Sequence, residues 1–287
     1  KLIKIEHINR RNFLRNSLML SSLGILNQKK SLFAADLENH GLGNIGIQLY
    51  TVRDIMKESV SKTLQSIAEI GYKEVEFAGY FGKTPSQIKS ILSANNLHSP
   101  STHIEIQLLR DYPNQVIEAA LEVGHEFIVM AFLDPSERIN IDQYRAHADL
   151  FNSFGERCKK HGLRFAFHNH DFDFQVLNNS VPMDILLEET NPDLVSFELD
   201  LYWATKANVD PIKYIRDYPG RFPLWHVKDM ASNTKMADVG DGVINFSEIF
   251  KYNEVAGLEH YYVERDDPPN SLKTASRSYD AMLELNF

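Results

Sequence analysis

A chain of 287 residues has room for one barrel-sized domain, which takes ~250 residues, and its 43% hydrophobic and 24% charged residues are those of an ordinary globular protein. A net charge of -9 with no long basic run argues against nucleic acid, whose phosphates call for stripes of Lys and Arg. The single cysteine, Cys158, excludes an internal disulfide and a cysteine-based zinc site, and lies in a helical, charged stretch that suits a structural role.

Residues 1–35 read differently from the rest. Arg10-Arg11-Asn12-Phe13-Leu14-Arg15 precede an apolar stretch over 18–26, followed by Lys29-Lys30 and Ala34-Ala35. The apolar stretch is shorter than the ~20 residues of a spanning helix, so no stable membrane span is expected. Paired arginines, a modest apolar region, a basic stretch and small residues follow the order of a twin-arginine export signal. The expectation is a signal over 1–35, a single mature domain over 36–287, and export, to the periplasm, of an already folded protein. The alternative is an amphipathic helix packed on the domain.

From residue 45 onward, short apolar runs alternate with helical patterns. Strands are expected over 45–50, 74–78, 98–103, 127–132, 164–170, 195–200, 223–228 and 261–264. Helices are expected over 59–70, 85–94, 113–123, 142–161, 183–189, 211–218, 246–252 and 271–285. Thr84 and Pro85 read as N-cap and first helical residue, and Gly71, Gly124, Gly162 and Gly220 as helix stops. This alternation predicts an α/β fold with a parallel sheet. No GxGxxG turn follows the first strand, which disfavours a doubly wound sheet and leaves a (β/α)8 TIM barrel.

Alternate residues of a barrel strand point inward, and function gathers at the strand C-termini. That period brings in Gln48 and Tyr50, Glu76, Ser101 and His103, His168 and His170, Glu198 and Asp200, His226 and Lys228, and Glu264. Only the fourth strand offers apolar residues, Met130 and Phe132. One inward histidine is usually a satisfied core residue. The same register repeated around the ring points to an active site, because unpaired buried polar groups cost several kcal/mol each. His168, Asp200, His226 and Glu264 come from four neighbouring strands and suit one divalent ion, with His170 as the substitute for His168. Two nitrogens and two oxygens favour Mn, Co or Zn, ahead of Fe and then Mg.

At these residues the chain resembles the xylose-isomerase-like TIM-barrel superfamily, and within it the sugar phosphate isomerases/epimerases. The likeness spans roughly 45–285. It is carried by Gly46-Ile47-Gln48-Leu49-Tyr50-Thr51-Val52-Arg53, Gly71-Tyr72-Lys73-Glu74-Val75-Glu76 and Phe167-His168-Asn169-His170-Asp171-Phe172. Glu198-Leu199-Asp200-Leu201-Tyr202-Trp203, His226-Val227-Lys228-Asp229, the stretch 239–246 and Glu264 continue it. The resemblance implies one divalent ion held from strands 5 to 8. Two departures stand out: ketose epimerases of this family carry glutamate where His168 stands, and often histidine where Trp203 stands. The first disfavours a symmetric two-glutamate mechanism. The His-Asn-His-Asp-Phe form resembles an exported subgroup, some members of which act on 3-keto-glycosides by β-elimination.

The expected chemistry starts with loss of a proton next to the carbonyl of a sugar or keto-sugar, the metal stabilising the enediolate. Glu264 is the expected base, with Lys228 or His103 supplying the other proton. Tyr50, Glu76, His170 and Trp203 would meet the substrate, as would Glu198 unless it is a paired buried acid. Asp229 would orient Lys228 or a ligand histidine. Isomerase or epimerase, 3-keto-glycoside lyase or dehydratase, and non-catalytic sugar binder are the readings left open. The abasic-site nucleases of this fold need a basic groove that the acidic chain lacks.

Overall fold

In the computed structural model, eight parallel strands close into a barrel, and the structure describes residues 44–285. The expected export signal lies outside those residues. The strands are β1 (Gly46–Gln48), β2 (Glu74–Ala78), β3 (His98–Ile104), β4 (Phe127–Met130), β5 (Arg164–His168), β6 (Val195–Asp200) and β7 (Leu224–Val227). A small antiparallel hairpin, β8 (Asp229–Met230) with β9 (Met236–Ala237), follows before β10 (His260–Val263) completes the ring between β7 and β1.

Helices fill the intervals as their caps dictate. Helix Pro85–Ala94 starts with a full capping box between Thr84 and Gln87, and Ser59, Asn140 and Asn270 accept backbone N–H groups at the starts of Val60–Ile70, Ile141–Lys160 and Ser271–Leu283. The expected helix over 246–252 is two short ones, Phe246–Phe250 and Asn253–Ala256. Inside the longest helix, Gly155 lies so close to β6 that a Cβ there would sit 2.3 Å from the Leu194 carbonyl oxygen. Gly155→Ala is therefore expected to destabilise the fold by about 1–3 kcal/mol, read as a lower urea midpoint; an unchanged midpoint would contradict this packing.

Five strands stop earlier than the sequence pattern suggests. In β1 the Gln48 side chain accepts the Tyr50 N–H and turns the chain into a 3-10 turn, Leu49–Val52. Tyr50 is thereby taken off the strand and is 42% exposed, not inward. After β5, Asp173 accepts the His170 N–H at 2.8 Å and starts the turn Asp171–Phe174. β4 also corrects the expected face. Val129 pairs with inward His103 on one side and Ala166 on the other, so Phe127 and Val129 point in and Met130 points out. Phe132 lies past the strand, half-exposed. All four residues of β4 are buried and apolar, so nothing in their polarity marks the period. Phe127, Val129, Ala166, Leu224 and Tyr262 pack together as an apolar core.

Candidate active site

Strand register sets the site. It places Gln48 beside Glu76, Glu76 beside Ser101, His168 beside Glu198, and Asp200 beside His226. Every one of these side chains is buried. Among the described residues, the side chains that could hold a metal fall into two groups that share His226.

The outer group is Asp200, His226 and Glu264, each offering an atom within 4.8 Å of the others. His226 Nδ1 is 2.8 Å from Glu264 Oε2 and 3.9 Å from Asp200 Oδ2. His168 Nε2 comes to 3.8 Å from the same Asp200 oxygen. Asp200 is held from both ends. Its N–H donates to Asn169 Oδ1, and its Oδ1 caps helix Leu201–Lys206 by accepting the Trp203 N–H at 2.8 Å. That leaves Oδ2, which is buried, makes no well-formed hydrogen bond among the described residues and has the Lys228 ammonium 3.0 Å away. A carboxylate oxygen so placed beside two imidazoles and a second carboxylate suits a divalent cation. Asp200, His226 and Glu264 thus form a donor set that fits one, with His168 Nε2 close to Asp200 as a fourth candidate.

The deeper group is His103, His168, Glu198 and His226. Glu198 Oε2 stands 2.7 Å from His103 Nε2, 3.0 Å from His168 Nδ1 and 3.1 Å from His226 Nε2. Glu76 Oε2 reaches His226 Nε2 at 2.7 Å and accepts from Gln48 Nε2 at 2.6 Å, while its Oε1 accepts from Ser101 Oγ at 2.5 Å. Both oxygens of Glu76 are thus taken up by protein groups, and Glu198 is a paired buried acid through Oε2, while its Oε1 is buried with no hydrogen-bond partner among the described residues. Each carries the far nitrogen of a histidine whose near nitrogen faces the outer group, an arrangement that fixes ring orientation and tautomer.

The charges follow from these contacts. Burial opposes charge on His226, yet Glu198 and Glu264 hold its imidazole well above the ordinary range. Burial likewise opposes charge on His103, and Glu76 with Glu198 push it up to about 10. Burial, reinforced by the neighbouring His226 and His170, holds His168 well below. Burial pushes Asp200 up to about 6. Glu264 stays below the usual carboxylate range against its burial, because Lys228 and His226 lie beside it. An ion needs neutral imidazole, so loading this site must expel the His226 proton. Zinc or manganese uptake is expected to release protons and to tighten as the pH rises from about 6 to about 8, measured by calorimetry in buffers of different ionisation enthalpy. Uptake with no proton release would contradict the protonated His226.

Lys228 ends the inward row of β7, its Nζ 2.8 Å from Glu264 Oε2 and 3.0 Å from both Asp200 Oδ2 and Asp266 Oδ1. Trp203 lies nearby, its ring centroid 5.4 Å from that nitrogen. His170 stacks on Phe172 and meets Phe132 edge to face, and both His170 Nδ1 and Trp203 Nε1 are buried without partners. Asp229 contacts neither Lys228 nor a histidine. Its carboxylate accepts the N–H groups of Met230, Gly240, Gly242 and Ile244 and binds the loop after β7 into one piece. Gly242 is required there, since a Cβ would lie 2.1 Å from Asp229 Oδ1. Asn169, Asp173 and Asp266 are contributors that the strand pattern did not single out.

Among known proteins, the family model described as xylose isomerase-like TIM barrel matches residues 64–270. An inosose dehydratase of Lacticaseibacillus casei is 22% identical over 270 residues, covering 80% of this chain and 90% of that protein. A solved structure of a sugar phosphate isomerase/epimerase from Parabacteroides distasonis superposes with a TM-score of 0.72 at 25% identity, over 84% of this chain and 94% of that one. The IOLI protein, solved with a binding zinc atom, superposes with a TM-score of 0.68 at 11% identity, over 85% and 98%.

Proposed function

Since the chain belongs to the xylose isomerase-like TIM-barrel family, we propose that it is a divalent-metal-dependent enzyme that removes a proton next to the carbonyl of a sugar or keto-sugar and expels a β-oxygen, as a dehydratase or lyase does. The observation that carries this is the direct contact of Glu264 Oε2 with Lys228 Nζ at 2.8 Å. A carboxylate base and an ammonium acid side by side serve one face of a substrate. Epimerisation instead needs bases on opposite faces, and this chain has His168 where the resembling epimerases carry a second glutamate.

His168, Asp200, His226 and Glu264 would hold the ion, which when bound would supply Lewis-acid polarisation of a substrate oxygen. The side chains do the rest. Glu264 accepts the proton from the carbon beside the carbonyl. The released electron pair forms a C=C bond as the β C–O bond breaks, and Lys228 Nζ gives its proton to the departing oxygen. Once the product has left, Glu264 gives its proton to water and Lys228 takes one up from water, which restores both groups. Glu76 and Glu198 hold the histidines in orientation, and Trp203 offers an aromatic face next to the reacting groups.

Similarity to inosose dehydratases supports this reading. The Parabacteroides isomerase/epimerase supports a second one, in which the same proton abstraction ends in isomerisation. Proton NMR in D2O, with Mn, Co, Zn or Fe supplied, separates them over a panel of keto-sugars and keto-glycosides. Elimination gives an unsaturated ketone and a released water or alcohol. Isomerisation gives deuterium at the α carbon with nothing lost. If neither signal arises and thermal stability ignores added metal, a non-catalytic sugar binder is the better description.

A further inference from the structure

Lys228 is a cation in contact with both carboxylates of the outer group. Its Nζ touches Asp200 Oδ2 and Glu264 Oε2, the two carboxylate oxygens that the metal reading assigns to a divalent ion, and also Asp266 Oδ1. Asp266 belongs to neither potential donor group. It is nonetheless a firmly placed acceptor, because Arg53 Nη2 donates to its carbonyl oxygen at 2.7 Å and its own N–H points to Met236 Sδ at 3.4 Å. An ion sharing the Asp200 and Glu264 oxygens would stand a few ångströms from the ammonium, inside a buried site where like charges repel strongly. The lysine has a long, rotatable stem and can give way.

We propose that Lys228 and a divalent ion compete for the Asp200 and Glu264 oxygens, and that Asp266 is a positioning residue that takes the ammonium when the ion holds them. This rests on the metal-dependent reading above. It explains how a lysine and a divalent ion can share two carboxylates, and why a third carboxylate stands two residues past Glu264. Held by Asp266, the ammonium stays next to Trp203 and to the substrate oxygen it is to protonate.

The test is ion affinity, not turnover. Chelator-stripped wild type, Lys228→Met, Asp266→Asn, Asp266→Glu and the double variant K228M/D266N are titrated with Zn2+ against a fluorescent chelator, after circular dichroism confirms folding. K228M is expected to bind about tenfold tighter or more, since the competing charge is gone. D266N should bind several-fold more weakly because the displaced lysine has lost its acceptor, and D266E should recover most of that loss. The double variant should match K228M, because Asp266 acts only through Lys228. Should K228M fail to fold, Lys228→Gln carries the same expectations. Unchanged or weaker binding by the lysine variant, or an equal loss from D266N in its presence and absence, overturns the proposal while leaving the metal reading intact. No zinc uptake by the wild type overturns both.

Discussion

Glu264→Gln is expected to lower turnover roughly 10²–10⁴-fold with no change in fold, the loss typical of a missing acid–base group. Glutamine keeps the volume of a side chain that is only 5% exposed, so packing survives. What disappears is the proton acceptor and one negative charge between His226 and Lys228. The amide also weakens the ion site, so the assay is run with rising metal until the rate is flat. A rate that returns to the wild-type level at high metal would make Glu264 a ligand and nothing more. A persistent deficit in kcat with a modest change in KM marks it as the base.

His226→Ala is expected to have the largest effect on the molecule itself. The ring is fully buried and reaches Glu264 with one nitrogen and Glu76 and Glu198 with the other. Removing it breaks three buried pairs at once and leaves Glu264 to Lys228 and Glu76 and Glu198 to His103, and breaking a buried pair costs roughly 3–5 kcal/mol. The comparison is made on chelator-treated proteins by urea denaturation, so that the loss reflects the side chain and not a bound ion. Metal analysis of the untreated variant should find no stoichiometric ion. A near-normal urea midpoint would mean that the carboxylates are satisfied in another way.

Much of this site could be read from a period of two. Glu76, Ser101, His103, His168, Glu198, Asp200, His226, Lys228 and Glu264 are one inward series, and strand register aligns Glu76 with Ser101, His168 with Glu198 and Asp200 with His226. The alternation failed where polarity is silent or the strand has ended. β4 is apolar on both faces, so Met130 was expected to point the wrong way. Tyr50 lies beyond a strand that ends on a side-chain cap from Gln48, and a cap overrides the pleat; His170, past the cap from Asp173, still meets His168 and Trp203 at ring centroids of 5.0 and 5.4 Å. Asp266 was within reach of the same logic, two residues past Glu264, but sits outside the strand where the count stopped. Asp229 is next to Lys228 in the chain yet serves four backbone amides, a partnership between residues up to 15 apart that spacing does not announce.

The duty of Glu76 was not legible either, and that of Glu198 stood between a substrate contact and a paired buried acid. Inward position says that both line the barrel; only the distances pair them with histidines. Depth decides this: Glu198 lies one pleat below Asp200, and Glu76 binds Gln48 and Ser101 from the neighbouring strands.

The Asp229 anchor bears on how tightly a ligand can be gripped. With four amides drawn to one carboxylate and no space for a Cβ at Gly242, the segment 229–244 has lost its conformational freedom in advance. A wall ordered before the encounter spares the incoming molecule that entropy, so more of its contact energy survives as affinity.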